Sequence, residues 1–320
     1  MKRIGILTSG GDAPGMNAAI RAVVRGAIYN DMIPYGIRRG YEGLIDGDLY
    51  EMNASSVSDI MQRGGTILKT ARSQRFMTED GQKRAMGILK TFGIDGLVII
   101  GGDGSMTGGL QLAREGINIM GLPGTIDNDL AYTEYTIGFD TAVNTVLSAL
   151  GNVRDTSSSH ERTTVIEVMG RHCGDIAIYA GLTGGAEIIL TPEREVDVDA
   201  ICRKMIQGRN RGRLHNIIMK AEGVDISTEE LVNQIQDRTG METKPVVLGY
   251  IQRGGSPTAK DRMLASRMGY RAVELLRDGT RCQAIGIRGA EIINMDIETA
   301  LKLERRTNQE LLNLADILSI

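Results

Sequence analysis

Short apolar segments alternate with amphipathic segments along this 320-residue chain, and this alternation limits the fold more than any other feature of the sequence. The strand candidates are residues 4–8, 96–100, 117–122, 163–169, 187–190, 216–221, 246–251 and 284–288. Between several of them the apolar residues recur with the period of a helix, as within 85–92 and 139–150. Apolar strands that alternate with helices predict an α/β fold with mainly parallel sheets covered by helices on both faces.

Length and composition set the broad class of the protein. A chain of 320 residues is long for one hydrophobic core, so we expect two domains. A net charge of −3 argues against a nucleic-acid-binding protein that depends on bulk electrostatic attraction. Three scattered cysteines indicate a reducing compartment, and no apolar run approaches the roughly 20 residues of a membrane span. The first apolar segment is too short for a signal sequence. We therefore expect a cytoplasmic protein without a membrane or nucleic-acid partner.

Three loops that follow strands combine glycines with an acidic residue. They lie at residues 8–15, 101–105 and 123–129. Ligands bind at the carboxyl ends of strands in open α/β sheets. Glycines let the backbone approach a bulky anion, and the helix expected at 105–114 would direct its N-terminal amides toward it. Asp103, between glycines, is suited to hold Mg²⁺ directly or through water. Together the three loops predict a phosphate site.

The loop at 123–129 carries two carboxylates two residues apart. If the segment stays extended, side chains alternate and Thr125, Asp127 and Asp129 project to one side. One acid could then take a proton while the other holds charge or a metal ion. The alternative is a polar loop whose acids only cap a helix, and the two other loops favour the functional interpretation.

Several known catalytic motifs are absent. No loop has the Gly-Lys-Ser/Thr of a P-loop. The dinucleotide-binding fingerprint fails because the third position from Gly10 is Asp12. There is no Gly-x-Ser-x-Gly nucleophile elbow and no pair of residues at zinc-ligand spacing. We interpret the adjacent His172 and Cys173 as structural residues, so covalent and zinc chemistry are not expected.

Four arginines lie outside the strong helical patterns, at Arg72, Arg162, Arg171 and Arg253. Each of them alone could be a solvated surface residue. Together they suit a phosphorylated substrate, because a guanidinium group binds phosphate through two hydrogen bonds and keeps its charge. Glu222, which follows the strand predicted at 216–221, could accept a hydrogen bond from a sugar hydroxyl.

Four segments resemble those of the bacterial ATP-dependent 6-phosphofructokinase family. They are Gly-Gly-Asp-Gly-Ser at 101–105, Pro-Gly-Thr-Ile-Asp-Asn-Asp at 123–129, Met-Gly-Arg at 169–171 and Gln-Arg-Gly-Gly-Ser-Pro at 252–257. The resemblance extends from the first strand to at least residue 290. It implies two Rossmann-like domains, an ATP-binding domain at 1–138 plus 251–304 and a fructose 6-phosphate domain at 139–250 plus 305–320. It further implies a homotetramer with shared active sites.

The resemblance also implies a reaction, the transfer of the γ-phosphoryl group of Mg-ATP to the 1-hydroxyl of fructose 6-phosphate, the committed step of glycolysis. Asp127 matches the catalytic base, and Asp103 and Asp129 match the residues around Mg²⁺. The transferring phosphoryl group would be contacted by Gly11, Arg72, Thr125 and Arg171. The nucleotide contacts would be Gly11, Tyr41, Arg72, Gly102, Asp103, Gly104 and Ser105. The sugar phosphate contacts would be Thr125, Asp127, Arg162 (from a neighbouring subunit), Met169, Gly170, Arg171, Glu222, Lys244, Tyr250 and Arg253.

Two glycines bear on the phosphoryl donor in this family. Pyrophosphate-dependent relatives tend to carry Asp at the position of Gly104 and Lys at that of Gly124. A carboxylate at 104 would repel or crowd an α-phosphate, so glycine at both positions favours ATP. A different sugar kinase remains an alternative. A non-catalytic nucleotide sensor is disfavoured because Asp103, Asp127 and Asp129 are all present, and a dinucleotide oxidoreductase because the fingerprint is absent.

The sequence departs from the family at several positions. Lys244 and Tyr250 stand where the ligands of the sugar 6-phosphate are usually Arg and His, which predicts weaker sugar phosphate binding. Lys69, Ser73, Gln74 and Met77 replace the residues expected around adenine. The resemblance implies an effector site for ADP and phosphoenolpyruvate, with Ala54 in place of a common arginine. Its matching residues are Arg21, Arg25, Asp59, Arg154, Gly185, Glu187, Arg211 and Arg213.

Overall fold

The computed structural model describes residues 2–305 and 308–319. By packing, the described chain divides into two compact units. Unit 1 comprises residues 2–126, 130–141 and 253–305. Unit 2 comprises residues 127–129, 142–252 and 308–319. Both units are discontinuous in sequence, because the chain passes from one to the other several times.

The secondary structure alternates between strands and helices. The strands are β1 (Arg3–Thr8), β2 (Ile33–Ile37), β3 (Leu49–Glu51), β4 (Gly96–Gly101), β5 (Asn118–Thr125), β6 (Ile137–Gly138), β7 (Thr163–Val168), β8 (Ile188–Leu190), β9 (Asn216–Ala221), β10 (Thr243–Val247), β11 (Gln283–Arg288) and β12 (Glu291–Asp296). The helices are α1 (Met16–Tyr29), α2 (Gly40–Asp46), α3 (Glu79–Phe92), α4 (Asp103–Arg114), α5 (Phe139–Ser159), α6 (Asp175–Thr183), α7 (Val198–Asn210), α8 (Thr228–Thr239), α9 (Ala259–Arg277), α10 (Ile297–Leu301) and α11 (Gln309–Leu318). Short 3₁₀ turns span Ala54–Val57, Arg75–Met77 and Gly249–Arg253.

Unit 1 is built on an eight-stranded sheet in the order β12-β11-β5-β4-β1-β2-β3, with β6 paired to the end of β5. All of its pairs are parallel except β2 with β3 and β11 with β12. The antiparallel pairs lie at the two edges of the sheet. The parallel centre brings the carboxyl ends of β1, β4 and β5 to one edge.

Helices cover both faces of this sheet. Leu97 and Ile99 of β4 share a buried cluster with Leu44 of α2 and Met106 of α4. Val98, which alternates with them on the same strand, has no exposed surface either. On that other face α1 contacts β4, and α9 contacts both β5 and α1. A strand buried on both faces has apolar residues at every position, which explains the uninterrupted apolar pattern in the sequence.

Unit 2 is built on a smaller, fully parallel sheet in the order β10-β7-β9-β8. Its helices α6, α8 and α11 contact the strands β9, β7 and β8, respectively. The prediction of an α/β fold with mainly parallel sheets and surrounding helices is therefore confirmed in both units.

One predicted strand is displaced, and four strands were not predicted. The apolar run 246–251 was expected to be a strand, but β10 ends at Val247 and the turn Gly249–Arg253 follows it. Gly249 has a φ of 55°, which an extended strand does not allow. The strands β2, β3, β6 and β12 are short, interrupted by Pro and Gly, or only partly buried.

The segment that carries the two acids does not stay extended. The strand β5 ends at Thr125, and Asn128 has a φ of 52° in the left-handed region. The alternation expected for Thr125, Asp127 and Asp129 therefore does not hold, because a left-handed residue reverses the direction of the chain. In the described part of the chain, no helix has the length and apolar character needed to cross a membrane.

Candidate active site

The loop that joins β4 to α4 in unit 1 is open on its outer side. Gly102 immediately precedes the helix, and Asp103 is its first residue. A β-carbon added at Gly102 or at Gly104 would meet no atom within 4 Å. The carboxylate of Asp103 is exposed. Both α4 and α1 begin after a glycine, Gly102 and Gly15, which has no side chain to cap the first amides. The amides at the start of α4, where the backbone is not obstructed, are suited to an anionic ligand.

The first loop packs directly against this second loop. The amide of Ser9 donates a hydrogen bond of 3.0 Å to the carbonyl of Ile100. A β-carbon at Gly101 would lie only 2.5 Å from the carbonyl oxygen of Ser9. Glycine at 101 therefore allows the backbones of the two loops to approach each other, whereas the glycines of this loop were expected to let the backbone approach a bulky anion.

Tyr41 contacts the first turn of α4 through its hydroxyl. Its hydroxyl donates a hydrogen bond to the carbonyl oxygen of Ser105, and its ring stacks on Phe76 with centroids 4.1 Å apart. Tyr41 is buried, and this burial raises the pKa of its hydroxyl well above the ordinary value. The hydroxyl is thus a fixed neutral donor that holds the Ser105 end of the loop.

The segment that precedes Arg72 is tied to the first loop through side chains. The buried Asn17 accepts from the amide of Ile67 at 2.8 Å and donates to the carbonyl of Arg63 at 3.0 Å. Thr70 donates to the carbonyl of Gly10 at 2.7 Å. The side chain of Arg72 itself is exposed.

Arg253 and Gly11, both predicted site residues, lie against each other in unit 1. A β-carbon at Gly11 would be 3.4 Å from the guanidinium carbon of Arg253. Thr125, the last residue of β5, accepts a hydrogen bond of 2.6 Å from the hydroxyl of Thr136 through its carbonyl. The structure thus gathers the first two predicted loops and the start of the third, up to Ile126, at one edge of the unit 1 sheet.

The two acids Asp127 and Asp129 belong to unit 2. Asp127 is buried, with 6% of its surface exposed. Asp129 accepts from the guanidinium of Arg171 at 3.2 Å. Arg171 follows β7 and has a φ of 54°, while the preceding Gly170 has a φ of 139°. This tight turn directs the backbone of Arg171 toward another predicted residue.

That residue is Glu222, which follows β9. Its carboxylate accepts from the amides of Gly170 at 3.2 Å and Arg171 at 2.8 Å. The amide of Met169 donates to the side chain of Gln252 at 3.1 Å, and Gln252 has no exposed surface. Gln252 was not among the predicted site residues, although it directly precedes Arg253 in the motif that suggested the family. The side chain of Gln252 holds the loop that carries three predicted site residues, Met169, Gly170 and Arg171.

Arg162 and Lys244 lie at the opposite, amino edge of the same sheet. Arg162 precedes β7, and Lys244 is the second residue of β10, which runs parallel to β7. Lys244 pairs with Glu242 at 3.1 Å, and hydrogen bonding from Lys244, with its charge, lowers the pKa of Glu242. Tyr250 is 78% exposed. Within unit 2, the structure does not bring Arg162 and Lys244 together with Met169, Arg171 and Glu222.

A comparison with protein families decides the class of this site. The model of the phosphofructokinase family matches residues 3–276. The chain belongs to the phosphofructokinase family. Residues from all three loops, the two acids Asp127 and Asp129 and the Met-Gly-Arg segment fall inside this match.

Full-length relatives of this phosphofructokinase-family chain carry a more specific name. A protein of Clostridium botulinum (strain Loch Maree / Type A3) named ATP-dependent 6-phosphofructokinase is 59% identical over 319 residues, which cover 100% of both chains. A protein of the same name from Alkaliphilus metalliredigens (strain QYMF) is also 59% identical, over 320 residues and the whole of both chains.

Solved phosphofructokinase structures share the fold. The enzyme of Saccharomyces cerevisiae superposes with a TM-score of 0.90 at 35% identity, covering 100% of this chain and 48% of the yeast chain. This chain thus spans about half the length of the yeast chain. A pyrophosphate-dependent phosphofructokinase of Marinobacter aquaeolei has a TM-score of 0.86 at 22% identity, over 98% of this chain and 91% of that one. At that identity the likeness concerns the fold alone.

The residues expected at the phosphofructokinase effector site form two groups. In unit 1, Arg21 and Arg25 lie one turn apart on α1, and Asp59 follows the 3₁₀ turn that contacts this helix. In unit 2, Glu187 and Arg213 line a small cavity together with residues of α11. Arg154 lies beside that cavity. The guanidinium of Arg154 donates to the carbonyl of Gly185 at 2.9 Å, whereas Arg211 is exposed.

Lys204 adds a cation near this cavity that the sequence did not suggest. Its ammonium donates to the hydroxyl of Ser319 at 2.5 Å, and Ser319 lines the cavity. Burial lowers the pKa of Lys204, with the charge of Arg213 adding to this effect and that of Asp316 opposing it. Lys204 lies on α7, whose amphipathic pattern gives no sign of a ligand.

The donors present fit a Mg²⁺ ion that is held mainly by substrate. Across residues 2–305 and 308–319, no three side chains of His, Cys, Asp or Glu converge in a way that could hold a metal ion. Mg²⁺ in kinase sites uses one or two carboxylates, with water and substrate phosphates completing its coordination. An exposed carboxylate such as that of Asp103, between two unobstructed glycines, meets this requirement.

Proposed function

We propose that this chain transfers the γ-phosphoryl group of ATP to the 1-hydroxyl of fructose 6-phosphate, giving fructose 1,6-bisphosphate and ADP in glycolysis. The observation that carries the proposal is the 59% identity, over the full length, with proteins named ATP-dependent 6-phosphofructokinase. The geometry of the glycine loops and of the acids supports it, since both are suited to phosphoryl transfer.

The nucleotide would bind in unit 1. The amino ends of α1 and α4 offer amides without a side-chain cap, and Gly102 and Gly104 leave room for phosphates. Asp103 would hold Mg²⁺, with Asp129 supporting it. When bound, Mg²⁺ neutralises part of the phosphate charge. Arg72, exposed beside the first loop, would contact the transferring phosphoryl group.

Asp127 would act as the general base. Its carboxylate takes the proton of the sugar 1-hydroxyl as that oxygen bonds to the γ-phosphorus, while the bond to the β-phosphate oxygen breaks and ADP leaves. Proton transfer by a positioned side chain contributes about 10²–10⁴ to the rate. Arg171, oriented by its ion pair with Asp129, would stabilise charge on the transferring group.

The sugar would be held by residues at the carboxyl edge of the unit 2 sheet. Glu222 would accept from a sugar hydroxyl beside Met169 and Gly170. Arg162 and Lys244 lie at the amino edge, and the six residues of β7 lie between Arg162 and Met169, so these two are seven residue steps, roughly 23 Å, apart. A single sugar phosphate does not span that distance. This separation supports a homotetramer in which a neighbouring subunit supplies Arg162 and Lys244 to bind the 6-phosphate.

We also infer regulation by ADP and phosphoenolpyruvate, and a cytoplasmic location. Both effectors are anions that carry phosphate. Glu187 and Arg213 line the cavity and Lys204 lies beside it, so two cations and the acids Glu187 and Asp316 lie close together. We expect phosphoenolpyruvate to make the dependence of rate on fructose 6-phosphate sigmoidal, and ADP to relieve this effect.

A coupled assay tests the proposed reaction. The purified protein should phosphorylate fructose 6-phosphate with Mg-ATP, and Asp127→Ser should lower kcat by about 10²–10⁴. Asp237→Ser, at an exposed position of α8, is the matched control and should keep full activity. Activity with pyrophosphate but not ATP would contradict the proposed donor. Assays with other sugar phosphates test the acceptor. A higher kcat/KM for one of them than for fructose 6-phosphate would contradict the proposed acceptor.

A further inference from the structure

The three residues Asp127, Asn128 and Asp129 pack with unit 2, although the chain on both sides of them belongs to unit 1. Two side-chain contacts within unit 2 hold this tripeptide. The amide group of Asn128 donates to a carboxylate oxygen of Asp175 at 2.7 Å. The guanidinium of Arg171 donates to Asp129 at 3.2 Å. The position of both acids therefore depends on these contacts.

The two contacts differ in their surroundings. Asn128 is 3% exposed and Asp175 is 4% exposed, so their hydrogen bond is shielded from water. The side chain of Arg171 is 52% exposed, and exposed ion pairs add little to stability. A hydrogen bond to a buried charged acceptor is stronger, and loss of one partner leaves a buried polar group unsatisfied. The Asn128–Asp175 contact is thus the stronger of the two.

Backbone geometry makes this contact specific. Asn128 has a φ of 52°, a conformation that Asn adopts more readily than most residues. The turn at Asn128 sets the orientation of Asp127 relative to Asp129. Asp175 is the first residue of α6, where the helix dipole stabilises a carboxylate. The acceptor is therefore anchored on a nine-residue helix rather than on a loop.

We propose that Asp175 is a positioning residue for the catalytic base, acting through Asn128 to hold Asp127 in place. The inference rests on the proposed function and adds a residue to it. Asp175 does not touch substrate in this role. Its carboxylate fixes the turn between the base and Asp129, and a small displacement of a reacting group can lower a rate by about 10²-fold.

Three variants test the role. Asp175→Ala removes the acceptor, and Asn128→Gly removes the donor while it keeps the left-handed turn accessible. We expect each to lower kcat by about 10- to 100-fold. The KM for ATP should change by less than about twofold, because the residues assigned to ATP lie in unit 1. Asp175→Asn keeps an acceptor oxygen and should recover most of the activity. The melting temperature of each variant shows whether it folds. If Asp175→Ala does not fold, the activity of Asn128→Gly tests the same contact from the donor side.

A double variant separates positioning from other roles. If Asp175 acts through Asp127, then Asp175→Ala should cost almost nothing further in an Asp127→Ser background. An equal fold-loss in both backgrounds, or unchanged kcat in folded Asp175→Ala and Asn128→Gly, would overturn the positioning role alone. A fully active Asp127→Ser would instead overturn the assigned base, and the role of Asp175 with it. The single Asp127→Ser result thus distinguishes the two failures.

Discussion

A β-carbon on Gly124 would lie 2.8 Å from Cγ2 of Ile100, a side chain with no exposed surface. The close approach places β5 against β4 beside the candidate site. Gly104 is the opposite case, since a β-carbon there would meet nothing within 4 Å. The two glycines that bear on the choice of phosphoryl donor are therefore not equivalent in packing.

This difference predicts separate outcomes for two substitutions. Gly104→Asp should leave stability within about 0.5 kcal/mol of the parent and should lower kcat/KM for ATP, because in the proposed site its carboxylate would repel or crowd an α-phosphate. Gly124→Lys should destabilise the fold by about 1–3 kcal/mol through overpacking against Ile100. Urea unfolding and rates with ATP and pyrophosphate measure both effects. A Gly104→Asp variant that keeps full ATP activity would refute the role given to Gly104.

Tyr250→His should strengthen sugar phosphate binding. Tyr250 is 78% exposed, so the substitution does not disturb a core. A protonated imidazole offers a charged hydrogen bond that a tyrosine does not, which is worth about 1–3 kcal/mol. The KM for fructose 6-phosphate should fall, more at pH 6 than at pH 8. Tyr250→Phe is the control for loss of the hydroxyl. An unchanged or higher KM in the histidine variant rejects the idea.

Asp261 should make stability depend on pH. It is buried, accepts hydrogen bonds from Gly138 and Thr141, and burial raises its pKa from 3.8 to about 6. Because the folded state holds the proton more tightly, this contribution is complete below the unfolded pKa and is lost as pH rises through 6. The loss amounts to about 2–3 kcal/mol between pH 4 and pH 7.

Asp261→Asn is the test of that effect. The variant has no proton to release, so the difference in unfolding free energy between parent and variant should shrink or reverse as pH rises from 4 to 7. Urea unfolding at several pH values measures it. A difference that stays constant across this range would show that Asp261 titrates alike in the folded and unfolded chains.

The ion pair between the buried Lys220 and the partly exposed Glu167 should be sensitive to loss of one partner. Lys220 is 1% exposed, its ammonium lies 3.2 Å from a carboxylate oxygen of Glu167, and Thr228 donates to the same oxygen. Lys220→Met should cost about 1–3 kcal/mol, because it leaves the partly exposed carboxylate of Glu167 without its counter-ion. Lys220→Met combined with Glu167→Gln should recover most of the loss. Equal urea midpoints for the parent and the single variant would contradict this account.

The central strands of both sheets could be predicted from the sequence, because burial on both faces leaves an unbroken apolar run. The strand β10 could not. It is an edge strand that pairs only with β7, it contains Pro245, and four of its five residues are at least partly exposed. The more apolar run at 246–251 therefore predicts the strand at the wrong place. Proline is tolerated at such an edge, where one side needs no ladder hydrogen bond.

The site residues were found as local motifs, whereas their grouping depends on tertiary contacts. Glycine and acid patterns identified the loops around Asp103 and Asp127. The side chain of Asn128 donates to Asp175, which lies 47 residues further along the chain, and no local pattern predicts this contact. The separation of Arg162 from Met169 follows from the length of β7, so it could be predicted from the sequence because that strand was predicted.

The discontinuity of the two units has a consequence for synthesis on the ribosome. All four strands of the unit 2 sheet are made by Val247, before α9, β11 and β12 of unit 1 exist. Domains generally fold as units when their chain is complete. Unit 1 is complete only once α9, β11 and β12 have been made, and unit 2 only once α11, which contacts α6 and β8, has followed them. The strands of the unit 2 sheet are therefore made before the unit 1 sheet is complete, yet the unit that contains them is the last to be finished.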